Sequence, residues 1–295
     1  MKKAINWKKV VLILSILFVI SIVTFLCLYK FNKNFLYSIY DGIKYIKQGI
    51  EVNLSSEYRN TDKTKTYFKG EKNIKIPILL YHEITAESPE RSMAYMHTKK
   101  DNFEKQVAGL IEYGYTVISY DDLIAYNNGK KALPEKVVLI DFDDGFIGNY
   151  LYAFDIVKKY NIPINIYVVD DLVGTPGYFN WKQAKEMSDT GLVSINTHGK
   201  THIFYNKENK ETLVKHIEYA HNNIEKNLGK KVTKVFTYPY GAYTTEELVS
   251  LQQVGFVQNL TNDEINTSDS LNLYGLSRIY VMNHYSKYKI LKMIN

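Results

Sequence analysis

From residue 76 onward the chain alternates between two hydrophobic periods. Short aliphatic or β-branched runs occupy Ile76–Tyr81, Thr116–Ser119, Lys136–Phe142, Ile164–Val169, Leu192–Asn196, Lys234–Thr237 and, less regularly, Phe256–Gln258. Unbroken apolar runs of this length read as strands buried on both faces. Between them apolar residues recur at helical spacing. Phe103, Val107, Leu110 and Ile111 form one stripe that stops at Gly114, a residue suited to a helix C-terminus. Tyr150–Tyr160, Lys182–Ser188, Lys207–Leu228 and Thr244–Val254 also read as helices. Strands that alternate with helices predict an α/β domain over residues 76–295, its parallel sheet covered by helices. No internal repeat is visible.

The first 75 residues follow another pattern. Val10–Tyr29 is apolar apart from Ser15, Ser21 and Thr24, and Lys2, Lys3, Lys8 and Lys9 precede it. Twenty such residues suffice to cross a bilayer as a helix, and the lysines place residues 1–9 in the cytoplasm. A cleaved signal peptide is the competing reading, but no small-x-small site follows and Leu26 precedes Cys27. The expectation is therefore a single-pass anchor at the cell membrane, with the rest of the chain outside. Beyond it, Phe35, Leu36, Ile39, Ile43, Ile46 and Ile50 fit a short amphipathic helix, and Asn53–Lys75 reads as a polar linker, so residues 30–75 form a juxtamembrane segment.

Charge divides the same way. Residues 1–75 hold 14 Lys and Arg against 5 Asp and Glu, and the other 220 residues hold 23 against 26. The basic excess thus belongs to the anchor and its flank, and the main domain has no net basic character with which to bind nucleic acid. Cys27 is the only cysteine. The exported part can form neither a disulfide nor a thiolate metal site, so any metal there must be held by His and carboxylates.

Two stretches carry the candidate chemistry. Asp141-Phe142-Asp143-Asp144-Gly145 closes the strongest strand run, so its carboxylates emerge where a strand ends and a turn begins. His198-Gly199-Lys200-Thr201-His202 places two imidazoles four residues apart after another strand run. Either alone has an ordinary explanation, a solvated turn or one helix face. Together, at the C-terminal ends of strands, they occupy the place where α/β folds put chemistry. Two His and one Asp make an open metal site, and the adjacent carboxylate is free to deprotonate a bound water. Which of Asp143 and Asp144 plays which part is open on chemistry alone.

The Asp141–Gly145 run resembles the T-F-D-D-G motif of the polysaccharide deacetylases, the family-4 carbohydrate esterases. His198–His202 resembles their H-[ST]-x-x-H motif, Tyr238-Pro239-Tyr240-Gly241 their R-x-P-Y-G motif, and Ile76–His82 the opening strand of the subgroup acting on poly-β-1,6-N-acetylglucosamine. The resemblance, which spans roughly Ile76 to Val281, implies a distorted (β/α) barrel of about seven units. It implies Asp144, His198 and His202 as ligands of a divalent metal (zinc, with cobalt or nickel able to use the same set) and Asp143 as the base. It assigns the Tyr240 backbone N–H to the developing oxyanion. Two departures stand out. The motif's Arg falls on Thr237, so Arg278 becomes the candidate to orient the base. No C-terminal L-x-H of the usual kind supplies the general acid, so His82 at the end of the first strand is the candidate, ahead of His284. The implied substrate is an N-acetylated surface polysaccharide, with the β-1,6-linked polymer ahead of peptidoglycan and a non-catalytic glycan-binding relic as the third reading.

Overall fold

The computed structural model describes residues 74–89 and 91–295. The expected anchor at 10–29, the amphipathic helix and most of the linker lie outside the described residues, and among those described no helix is long and apolar enough to cross a membrane. The body begins slightly earlier than expected: Ile74 is buried, and β1 (Lys75–Ile76) pairs antiparallel with β11 (Asn266–Thr267).

Seven parallel strands close into a barrel. In sequence they are β2 (Ile78–Tyr81), β6 (Val137–Phe142), β7 (Ile164–Val168), β8 (Val193–Thr197), β9 (Val235–Thr237), β10 (Val257–Thr261) and β12 (Leu276–Tyr280). Their spatial order is β2-β12-β10-β9-β8-β7-β6, and β6 returns to β2 through the register Ile78↔Leu139 to Tyr81↔Phe142. The expected run at 116–119 supplies only β5 (Thr116–Val117), which is not a barrel strand. It pairs with Val137 and Val138, the part of β6 that β2 leaves free. The seventh barrel strand is instead β12, whose Ser277, Arg278 and Tyr280 mask its strand character in the sequence.

Alternation along β6 sorts side chains into two environments. Val138, Ile140 and Phe142 join the core between barrel and helices, while Val137 and Leu139 join the apolar floor of the barrel with Ile78, Val235, Val257 and Leu276. The helices are α1 (Lys100–Glu112), α2 (Tyr120–Asn127), α3 (Phe154–Tyr160), α4 (Trp181–Asp189), α5 (Lys210–Leu228), α6 (Thr245–Gln253) and α7 (Lys287–Ile294). Their ends follow local chemistry. Ser119 and Asp122, Asn180 and Gln183, and Thr244 and Glu247 form reciprocal capping boxes, and Gly229 ends α5 in the left-handed conformation. The α2 and α7 helices were not expected. Each is eight residues long, too short for a periodic stripe, and α2 buries only Tyr120 and Leu123. The expected helix at 150–160 forms with a wide π-type turn over Asn149–Ala153 before α3.

At the mouth, β3 (Glu83–Thr85) pairs with β4 (His97–Lys99), and the 146–149 turn closes over β3. Gly148 permits this approach, since a Cβ there would lie 2.0 Å from the Ile84 carbonyl oxygen. The turn covers Glu83, and burial pushes its carboxyl up to about 7 despite a hydrogen bond from the Gly148 backbone. The folded state therefore holds this proton more tightly than the unfolded chain, and wild type loses stability as pH rises from about 4.5 to about 7. Glu83→Gln is expected to unfold at the same denaturant concentration as wild type near pH 4 and at a higher one at pH 8. Equal midpoints at pH 8 would refute this.

Candidate metal and hydrolytic site

The candidate residues meet at the C-terminal mouth of the barrel. The β6 strand runs into Asp143, whose backbone N–H still bonds the Tyr81 carbonyl as a last rung of the sheet. The chain then turns sharply, with Gly145 N–H donating to the Asp143 carbonyl and both Asp144 (φ 73°) and Gly145 (φ 79°) left-handed. Asp tolerates this conformation better than most residues, and it aims the second carboxylate away from the first.

His198 and His202 are brought together by a loop rather than by a helix. It wraps the hydroxyl of buried Tyr205, which accepts from the backbone N–H groups of Lys200 (3.1 Å) and Thr201 (3.4 Å) and donates to the Thr201 carbonyl (3.1 Å). Gly199 makes the wrap possible. Its φ is +96°, and a Cβ there would sit 2.4 Å from the Tyr205 hydroxyl.

Nε2 of His198 lies 3.5 Å and Nε2 of His202 3.3 Å from the same Asp144 Oδ1. The three candidate ligand atoms fall within 4.8 Å of one another. Asp144 Oδ1 is buried and has no hydrogen-bond partner. A buried carboxylate oxygen without a donor is costly unless a cation satisfies it, so the donor set fits a divalent ion held by two imidazoles and a carboxylate. His198 Nδ1 sits 2.8 Å from the Thr237 carbonyl and 2.6 Å from its hydroxyl. A carbonyl only accepts, so Nδ1 carries the proton and Nε2 keeps its lone pair for a ligand. Burial also lowers the His198 pKa, against the pull of Asp143 and Asp144, which favours the neutral form that ligates.

Asp143 faces the other way. Arg278 donates to it twice, Nη1 to Oδ1 at 2.7 Å and Nη2 to Oδ2 at 2.8 Å, and all of these groups are buried. Burial alone would raise the Asp143 carboxyl, but Arg278, then His198, outweigh it and hold it well below the usual carboxylate range. The two adjacent carboxylates are therefore separated by partner: Asp143 belongs to Arg278, Asp144 to the imidazoles. On Asp144, burial is again opposed, first by the nearby His202 imidazole and then by His198, and its carboxyl also lies low.

His82 follows β2 and is 8% exposed, its Nδ1 buried without a partner and its ring stacked 5.8 Å from Tyr280. Burial lowers its pKa, while Asp143 and Asp144, the first charges it senses, pull it back up. His284 lies apart. It is exposed, meets Tyr285 edge-on and lines a cavity of about 500 Å³ with Asn102, Gln106 and Lys287. Tyr240 takes φ 61° in the turn after β9, an uncommon conformation for a bulky residue. Its ring packs edge-on against His202 (4.5 Å) and face-on against Phe204 (4.1 Å).

Three residues take parts at the site that the motifs do not assign. Thr237 is only the place of a missing Arg, Tyr205 lies between the second motif and the helix expected at 207–228, and Asp141 is the first letter of a motif. Thr237 alone was findable, as the last strand residue before Pro239.

The polysaccharide deacetylase family model matches residues 130–258, which include β6 to β9 and both candidate motifs. YxkH of Bacillus subtilis is 28% identical over 223 residues, 76% of this chain and 77% of that protein. The poly-β-1,6-N-acetyl-D-glucosamine N-deacetylase of Staphylococcus aureus is 27% identical over 209 residues, 66% of this chain and 71% of that one. The structure of the Streptococcus pyogenes deacetylase PplD in complex with acetate superposes with a TM-score of 0.69 at 26% identity, covering 76% of this chain and 99% of that one.

If the Gly199 turn sets the spacing of the two imidazoles, Gly199→Ala should lower the affinity for zinc by about 10-fold or more, as loss of support behind a ligand commonly does. Competition against a chromogenic chelator would measure it, and an unchanged affinity would show that the loop tolerates the extra carbon.

Proposed function

We propose that this chain, which carries a polysaccharide deacetylase domain, is a metal-dependent N-deacetylase of N-acetylglucosamine units in a surface polysaccharide, with poly-β-1,6-N-acetylglucosamine as the substrate. The observation that carries the reading is the division of the adjacent carboxylates, Asp143 on Arg278 and Asp144 on His198 and His202. One carboxylate is thereby left to hold an ion and the other to handle a proton. The Staphylococcus relative, named for the β-1,6-linked polymer, supports the choice of substrate, and acetate, bound in the PplD structure, is what such a reaction releases.

A divalent ion bound by Asp144, His198 and His202 would polarise the amide carbonyl and acidify water. Asp143 stays ionised because Arg278 holds it so, and it accepts the proton that water loses as its oxygen bonds to the acetyl carbon. The guanidinium weakens this base, but it also fixes both carboxylate oxygens, so geometry is gained where basicity is given up. The turn at Tyr240 presents its backbone N–H to the oxyanion. As the C–N bond breaks, the amine nitrogen must take up a proton, and His82 delivers it. Burial favours neutral His82, whereas Asp143 and Asp144 favour its protonated form, so it can both hold a proton and part with it. Residues 10–29 form the membrane anchor in this reading, with the barrel outside the cell and the basic flank near the membrane surface.

Purified protein should release acetate from poly-β-1,6-N-acetylglucosamine oligomers and lose that activity on chelation, with recovery on adding zinc, cobalt or nickel. Release from peptidoglycan fragments alone would change the substrate, and no release from any N-acetylated glycan by metal-loaded protein would leave the non-catalytic reading. Asp143→Asn should bring turnover to background with metal content unchanged, whereas His198→Ala or His202→Ala should lower both. His82→Ala should keep the metal and lower kcat by about 10²-fold, within the usual range for general acid–base assistance. His284→Ala should stay within a few-fold of wild type, and the opposite pattern in the two His variants would move the general acid to the C-terminal segment.

A further inference from the structure

Below the mouth, the barrel interior holds a charged group to which none of these roles is given. Asp141 is fully buried on β6, one inward position below Asp143. Tyr120 donates its hydroxyl to Asp141 Oδ2 at 2.9 Å, and Asn165 donates to Oδ1 at 3.1 Å. Asn259, which donates to the Tyr167 hydroxyl at 2.8 Å, reaches the same Oδ2 at 3.5 Å. Arg278 Nη1, 2.7 Å from Asp143, is also 3.7 Å from Asp141 Oδ2, and the guanidinium lies 5.7 Å from the centre of the Tyr167 ring. One buried cation thus stands between two buried carboxylates, and the lower one is anchored from three strands and a helix.

We propose that Asp141 is a positioning residue for deacetylation: through Arg278 it fixes where the carboxylate of Asp143 stands relative to the ligand triad. This rests on Asp143 being the base. The anchoring supplies what a mouth residue lacks. The side chain of Asp143 has Arg278 on both oxygens and otherwise only a 3.5 Å contact from Thr237. Arg278 is a long side chain with four rotatable bonds, and its Nε has no partner. Its grip on Asp143 is directional only if something holds the guanidinium in turn. Thr261 Oγ1, 3.3 Å from Nη2, holds one side, and Asp141 holds the other. Each close neighbour of Asp141 is a donor, which suits the ionised form. Burial pushes its carboxyl up to about 7, with Arg278 followed by Tyr120 pulling against it. A carboxylate here also offsets the charge of Arg278, so that Asp143 and Asp144 together keep a negative field at the mouth.

Asp141→Thr removes the lower carboxylate without placing an amide N–H against the donors around it, and Tyr120→Phe removes a single hydroxyl behind it. In the whole protein loaded with zinc, Asp141→Thr should lower kcat on the acetylated oligomer by about 10-fold or more, because misplacing a reacting group by about 1 Å costs on the order of 10²-fold. KM should stay within about 2-fold and metal content at wild-type level, a split that general destabilisation would not produce. Tyr120→Phe should show the same split at a few-fold, and it decides the matter if Asp141→Thr does not fold. A folded variant with wild-type kcat overturns the proposal. Should wild type prove inactive on every glycan, the reading of Asp143 as a base fails, and crystal structures of the same variants still decide the positioning. A lost or shifted Arg278–Asp143 pair supports it, and an unchanged two-bond pair overturns it.

Discussion

The structure depends on a buried ion pair between Asp143 and Arg278. Two charges taken from water cost several kcal/mol each, and that cost is offset only if geometry and further hydrogen bonds are good. Here the guanidinium makes two short bonds to Asp143, with Thr261 and Asp141 on its flanks and an aromatic ring near it. Removing either partner would strand the other in the barrel, at about 3–5 kcal/mol. The pair also joins β12 to β6, strands separated in space by β2 and in sequence by 135 residues. Barrel closure and the orientation of the candidate base are therefore one constraint.

Around that pair the barrel interior is layered. The floor is aliphatic, with Ile78, Leu139, Val235, Val257 and Leu276. A polar tier of Asp141, Asn165, Tyr120, Tyr167, Asn259 and Arg278 lies above it, and the candidate ligands form the rim. A polar tier inside a barrel is stable only when nearly all its groups find partners, and it then specifies one arrangement closely. Inward and outward side chains alternate along each strand, so a slip of one residue in β6 would exchange Asp141 and Asp143 for Ile140 and Phe142. Register, core and chemistry select the same pairing.

The loops at the rim are shaped by close approach. Gly199 and Tyr205 bend the histidine loop, Gly148 lets the 146–149 turn seat on β3, and the left-handed backbone of Asp144 divides two adjacent carboxylates between two partners. None of these devices is an extra bond to an ion. The histidine loop and the Asp144 backbone place candidate ligand atoms before any ion arrives, and such preorganisation would let a small ligand set hold a metal in one geometry.

Six of the seven barrel strands, five of the helices and the meeting of Asp144, His198 and His202 at one end of the sheet were legible in the chain. Unbroken apolar runs and helical stripes are local signals, and strand ends fix where motif residues emerge. The sequence also carried Arg278 and His82 as candidates, through resemblance rather than pattern. What only the tertiary structure decided is long-range. Strand β12 was hidden because its inward face carries Arg278, which is buried only because the barrel closes around it, and the half-buried Tyr280. The 116–119 run looked like a barrel strand, but β2 already occupies the rest of the edge of β6 that it pairs with. Asp141 and Thr237 take their parts from partners between 21 and 137 residues away, and no period along a chain encodes contact at such distances. Local burial patterns follow from side-chain hydrophobicity and backbone period, but the pairing of buried charges depends on which strands become neighbours, and that is settled only when the sheet closes.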